Sequence, residues 1–148
     1  MIYGEVDGHE QSAETSAHVF TNGMTLFTVN GDIEILDLFA ECKTANDATA
    51  STLQFAVTCT GLAQQTISGA SASLANAAAG TVVALDGTAL ATAPNIYTTG
   101  AGLGQTARGI NMLRGVIQAI VGVGPMTGTW KCYLRYRPFS AGATVTGV

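Results

Sequence analysis

The sequence predicts an all-β chain, a single β-sandwich or jelly-roll-like domain behind an extended N-terminal arm. Three observations lead there. Short stretches alternate apolar and polar residues with a period of two, as strands do. Eighteen glycines supply turns and disfavour long helices. The third observation is the segment Thr129 to Phe139, which reads Thr-Trp-Lys-Cys-Tyr-Leu-Arg-Tyr-Arg-Pro-Phe. Trp130, Cys132, Leu134 and Tyr136 share one parity, while Lys131, Tyr133, Arg135 and Arg137 share the other. This is a strand with an apolar inner face and a cationic outer one. Pro138 stops it, because proline has no N–H for the ladder.

Taken in order, residues 1–17 read as an arm and 18–148 as the sandwich domain. Gly4, Gly8 and scattered acids give the arm no apolar period, although Ile2 and Tyr3 form an apolar tip able to dock. His18 to Val29 reads as one or two short strands with Asn22-Gly23 as a hairpin-type turn, and Asn30-Gly31-Asp32 as a second turn. Ile33 to Cys42 alternates, but its phase slips at Ile35-Leu36, which predicts a bulge or a strand buried on both faces. Thr52 to Thr60 alternates cleanly, with Leu53, Phe55, Val57 and Cys59 on one face. Thr66 to Ser73 is a weaker strand, and alanine-rich Ala72 to Ala79 is a helical turn or a loop. Thr81 to Leu85 is β-branched and stops at Asp86-Gly87, a hairpin signal with Thr88 to Thr92 as the expected partner. Ala93 to Gly109 reads as a long loop. Ile110 to Leu113 and Val116 to Val121 are strands around Arg114-Gly115, Gly122 to Gly128 is a turn region, and Ser140 to Val148 is a small-residue tail.

Only 11% of the residues are charged, against about 25% in an average domain. The surface is therefore rich in Thr, Ser, Ala, Gly and Gln, and costs little to desolvate. The formal net charge of −4 disfavours non-specific nucleic-acid binding. The charges are segregated along the chain. Residues 1–41 hold Glu5, Asp7, Glu10, Glu14, Asp32, Glu34, Asp37 and Glu41 with no Lys or Arg. Residues 108–137 hold Arg108, Arg114, Lys131, Arg135 and Arg137 with no acid. Such segregation serves either head-to-tail contact between subunits or internal balance within one molecule. Cys42, Cys59 and Cys132 are odd in number and lack C-x-x-C spacing, so buried free thiols are expected. Met1 is soon followed by acidic and polar residues, so no signal peptide is expected.

No residue pattern supports turnover, and the chain is expected not to be an enzyme and to need no cofactor or metal. Gly100-Ala-Gly102-Leu-Gly104 lacks the preceding strand and following helix of a phosphate-binding fingerprint. His9 and His18, the only histidines, fall in or beside the arm, where a catalytic base finds no rigid orienting partner. Asp7, His9 and Glu10 read as a solvated acidic segment rather than a metal site. Lys131, Tyr133, Arg135 and Arg137 make a cationic-aromatic row of the kind single-strand binders use, but the acidic total argues against nucleic acid.

The chain resembles the small capsid decoration, or cement, proteins of tailed bacteriophages over residues 18–145. The resemblance is carried by Ile33-Glu-Ile-Leu-Asp-Leu-Phe-Ala-Glu-Cys42 directly after an Asn-Gly-Asp turn, the Thr/Ala-rich strand Thr52 to Thr60, and the Asp86-Gly87-Thr88-Ala-Leu90 turn. The late Gly-Thr-Trp-Lys-Cys-Tyr-Leu-Arg-Tyr-Arg-Pro-Phe strand and a Gly-Ala-Thr tail complete it. It implies a structural virion protein, usually a homotrimer, on the outer surface of a capsid assembled in the host cytoplasm. There it would clamp neighbouring major capsid proteins, with no membrane and no direct nucleic-acid partner. Candidate intersubunit or capsid contacts are Ile2, Tyr3, Glu5 and Asp7 in the arm, and Lys131, Tyr133, Arg135 and Arg137 on the late strand. The alternatives are a phage tail, baseplate or fibre component, or a carbohydrate- or receptor-binding β-sandwich module.

Overall fold

The computed structural model describes residues 9–87, 89–102 and 109–148. The chain runs through β1 (Gln11–Glu14), β2 (Met24–Asn30), β3 (Ile33–Thr44), β4 (Thr52–Cys59), β5 (Gln64–Thr66) and β6 (Val82–Ala84). It continues through β7 (Asn95–Tyr97), β8 (Ile110–Met112), β9 (Gly115–Gly122), β10 (Thr129–Pro138) and β11 (Thr144–Gly147). All pairings are antiparallel and fall into two sheets packed as a β-sandwich. The first sheet has the order β1-β10-β3-β6-β7, with β8 also pairing β3. The second has the order β11-β2-β9-β4-β5.

The alternation read from the sequence decides which side of each strand is dry. Trp130, Cys132, Leu134 and Tyr136 of β10 are buried, as are Leu38 and Ala40 of β3. They face Phe27 and Val29 of β2, Leu53, Phe55 and Val57 of β4, and Ile117 and Ala119 of β9 within one apolar core. The phase slip at Ile35-Leu36 is a bulge. Arg135 stands opposite Asp37 and Tyr136 opposite Ile35, so Leu36 is the extra residue. The bulge restores parity, putting Ile35 and Leu38 in the core while Glu34 and Asp37 stay on the wet side.

Four local expectations are corrected. The stretch before His18 is not arm throughout, because Gln11–Glu14 forms β1 against β10. The tail contains β11, paired with β2. Asn22-Gly23 is a turn, with Gly23 at φ +82°, but it leads from the first sheet into the second and joins no hairpin. The partner of β6 is β7, beyond the expected Thr88 to Thr92. The buried Asp86 carboxylate explains the last point. It accepts from Asn95 Nδ2 at 2.8 and 2.9 Å and from Tyr97 Oη at 2.6 Å, so it ties β7 to the end of β6.

Two polar devices hold the irregular parts to the sheets. Beyond β5 the edge of β4 is finished by serine hydroxyls. Ser68 Oγ accepts from Phe55 N and Ser71 Oγ from Leu53 N, both at 3.0 Å, which replaces a strand where the chain bends away. Buried Asn46 joins three loops at one end of the sandwich. Its Oδ1 accepts from Gly128 N at 2.8 Å and from Trp130 Nε1 at 3.2 Å, and its Nδ2 donates to Leu74 O at 3.0 Å. Along one side the sheets meet: Ser16 N donates to Val148 O at 2.7 Å, and β11 lies so close to β1 that a side chain at Gly147 would collide with Glu14 O.

Replacing Asn46 by Ala leaves the indole N–H, the Gly128 N–H and the Leu74 carbonyl without partners. Chemical denaturation of Asn46→Ala is expected to show a loss of about 3 kcal/mol with unchanged m-value. The thiols make a second expectation. Burial pushes both Cys132 and Cys42 above the ordinary value of 9.0. Above that pH the unfolded chain loses thiol protons that the folded chain keeps, so the thiols' contribution to stability is constant below about pH 8.5 and falls as pH rises further. Thermal melts from about pH 8 to about pH 10.5 should show this decline, and Cys132→Ala should make its slope shallower.

Candidate functional site

The outer face of the first sheet gathers every charged residue that lies within a strand. β10 runs through the middle of it, flanked by β1 and β3. Each cation of β10 meets an acid from a flanking segment. Lys131 Nζ lies 3.1 Å from Glu14 Oε1, and Arg137 Nη1 lies 3.0 Å from Glu34 Oε1. Arg135 reaches Glu10 Oε2 at 2.9 Å through Nη1 and Asp37 Oδ2 at 4.0 Å through Nη2. Tyr133 Oη donates to Glu41 Oε1 at 3.0 Å. Its ring stacks on Phe39 with centroids 4.9 Å apart, and Lys131 Nζ sits 5.2 Å from the ring centroid.

The register causes this arrangement. Tyr133 stands opposite Phe39, Arg135 opposite Asp37 and Arg137 opposite Glu34, with β1 closing the other side. Cross-strand neighbours on one face come within side-chain reach of each other. The hydrogen bond that Lys131 Nζ donates to the Glu14 carboxylate holds the ammonium above its usual range. Burial, then the hydrogen bond to Glu41, pushes the Tyr133 phenol up. Among the described residues, the acids of the first third of the chain and the bases of β10 thus balance each other internally.

Of the candidate contact residues, Lys131, Tyr133, Arg135 and Arg137 stand together in one row, with Arg135 the most open at 47% side-chain exposure. Ile2, Tyr3, Glu5 and Asp7 lie outside the described residues. Sequence reasoning did not identify Glu10, Glu14, Glu34, Asp37 and Glu41 as the partners of this row. The acid-rich first third of the chain was their signal.

The outer face of the second sheet is different in kind. None of β2, β4, β5, β9 and β11 contains a charged residue. Thr146, Thr28, Val116 and Thr58 form one row across it. Thr25, Gln118, Ala56 and Thr66 form the next. Gln118 Oε1 accepts from Thr58 Oγ1 at 2.7 Å and from Gln64 Nε2 at 2.9 Å, knitting β4, β5 and β9 on their wet side.

Two concavities complete the surface. One, of about 430 Å³, opens at the Asn46 end between Val19–Asn22 and Val121–Met126. Val123 on its rim is 83% exposed at φ +67°, a conformation a β-branched residue rarely adopts. The other, of about 270 Å³, lies on the first sheet beside Asp37, Phe39, Val82 and Tyr97. Among the described residues no group of three His, Cys, Asp or Glu side chains is placed to hold a metal ion. No family model, curated protein or solved structure matches this chain.

Since Arg137 is paired within the chain, Arg137→Glu would face Glu34 with like charge. The variant is expected to unfold about 1 kcal/mol more easily at low salt, with a smaller penalty at high salt. The swap Arg137→Glu with Glu34→Arg should recover most of the loss in the same denaturation assay.

Proposed function

We propose that this chain is a non-enzymatic structural protein that decorates a bacteriophage capsid and cements its outer surface. The observation that carries the reading is the strand order. β1-β10-β3-β8 in one sheet and β2-β9-β4-β5 in the other follow the two nested Greek keys of a jelly roll, an architecture of capsid and lectin domains. A fold alone does not assign a function. The sequence resemblance to capsid decoration proteins supplies the direction, and the composition agrees with it. A surface of Thr, Gln, Ala and Gly makes wide contact at small desolvation cost.

The mechanism is multivalent clamping. Several copies on one shell bind neighbouring major capsid proteins, so that individually modest contacts add to firm attachment. The cations of β10 already have partners in their own chain. Attachment therefore draws on the segment before β1 and on neutral surface, with Arg135 the cation best placed to exchange its partner. Because Gln11–Glu14 belongs to the sheet, the arm available for contact ends near His9.

Co-sedimentation with expanded capsids that lack their decoration protein tests this. The wild-type chain is expected to bind. Removing residues 1–9 should lower affinity at least about tenfold while leaving the melting curve unchanged. Equal affinity after the deletion would remove the arm from the contact. No binding to any such shell, together with specific capture on a glycan array, would move the chain to the carbohydrate-binding class.

A further inference from the structure

The cavity of about 270 Å³ on the first sheet is bordered by Asp37, the one acid of the β10 network that accepts no hydrogen bond. Glu10, Glu14, Glu34 and Glu41 each accept one from a β10 side chain. Asp37 Oδ1 is buried and has no partner among the described residues. Its Oδ2 lies 4.0 Å from Arg135 Nη2, beyond hydrogen-bond reach, while Arg135 Nη1 is held by Glu10 at 2.9 Å. The Asp37 side chain is 19% exposed, which leaves Oδ2 as the oxygen open to a ligand. A carboxylate so poorly satisfied calls for an explanation, and a bound donor is one.

The other walls are apolar and partly aromatic. Across the sheet Tyr133 stands opposite Phe39, and Phe39 opposite Ala84. Tyr133 covers one side of the Phe39 ring by stacking. On the other side the neighbour is only an alanine, so Phe39 borders the cavity together with Ala84 and Val82. Tyr97 and Gly100–Gly102 form the far wall. Tyr97 Oη donates to Asp86 at 2.6 Å, which fixes the ring in place. Gly102 lies so close to that ring that a side chain there would collide with it.

We propose that this cavity binds a guanidinium group. A guanidinium is planar, so it donates to a carboxylate through its edge and stacks its face on an aromatic ring, and Asp37 and Phe39 offer those two contacts side by side. Asp37 and the net charge of −4 disfavour an anion. A sugar would turn hydroxyls towards Val82 and Ala84, where they find no partner. The volume equals that of about nine waters, room for a small cation or the head of one side chain rather than a drug-sized ligand. The guanidinium comes from a free small cation or from an arginine of a neighbouring protein, and the inference holds whether or not the chain attaches to a capsid.

Nuclear magnetic resonance titration of the isotopically labelled full chain tests it. Ethylguanidinium is expected to move the amide signals of Phe39, Val82 and Ala101 saturably in the millimolar range, while neutral ethylurea leaves them in place. Asp37→Asn keeps the shape of the wall and should weaken binding at least about tenfold. Val82→Phe fills the cavity with Asp37 still present and should abolish binding. Both variants should keep the wild-type spectrum away from the site. N-acetylarginine methylamide separates the two sources. Saturation at the same residues assigns the site to an arginine side chain, and binding of ethylguanidinium alone assigns it to a free cation. The proposal is overturned if no guanidinium saturates the site, if ethylurea binds equally well, or if either variant binds as the wild type does.

Discussion

Strand β10 has to satisfy two incompatible surroundings at once, and much of the molecule is arranged around that demand. Its inner side carries Trp130, Cys132, Leu134 and Tyr136 into the core. Its outer side carries Lys131, Arg135 and Arg137, which need water or acids. A central strand has neighbours on both edges, so the acids come from those neighbours. β3 supplies Glu34, Asp37 and Glu41, while β1 and the residue before it supply Glu14 and Glu10. The bulge at Leu36 belongs to the same solution, because it keeps Asp37 beside Arg135 while Leu38 returns to the core.

The ion pairs are surface pairs, individually worth at most about 1 kcal/mol. Their larger effect is on specificity. A β1 strand with only Ala13 packed against the core has little hydrophobic reason to sit where it does. Glu10 and Glu14 fix it beside β10, and with it the seam where Ser16 meets Val148. Trp130 does comparable work at the other end of β10. Its indole N–H shares the Asn46 amide with Gly128, so the largest core side chain also fixes the loops that carry Val123 and the cleft around it.

The result is a sandwich with one charged, self-neutralised face and one uncharged face. The first is held in place by contacts it makes with itself and offers little unbalanced charge to a partner. The second carries hydroxyls, amides and part-covered aliphatic groups over five strands. A structural protein that must lie against other subunits without steep salt dependence is well served by that division.

The sequence by itself determined the all-β class, the inner faces of β4 and β10, and the break in phase at Ile35-Leu36, because side-chain alternation and its breaks are local properties. It also placed Lys131, Tyr133, Arg135 and Arg137 together, since residues two apart on a strand share a face. β1 and β11 were not legible. Gln-Ser-Ala-Glu and Thr-Val-Thr-Gly bury too little to show a period, and what makes them strands is a free edge elsewhere in the chain. The partner of β6 was hidden for a related reason: Asp86 reads as a turn residue until Asn95 and Tyr97 arrive to bury it. The segregation of charge was plain, but its meaning was not. Only tertiary structure decided that the acids of the first third meet the bases of β10 within one molecule, because strand order and register are set by long-range pairing, which no local pattern encodes.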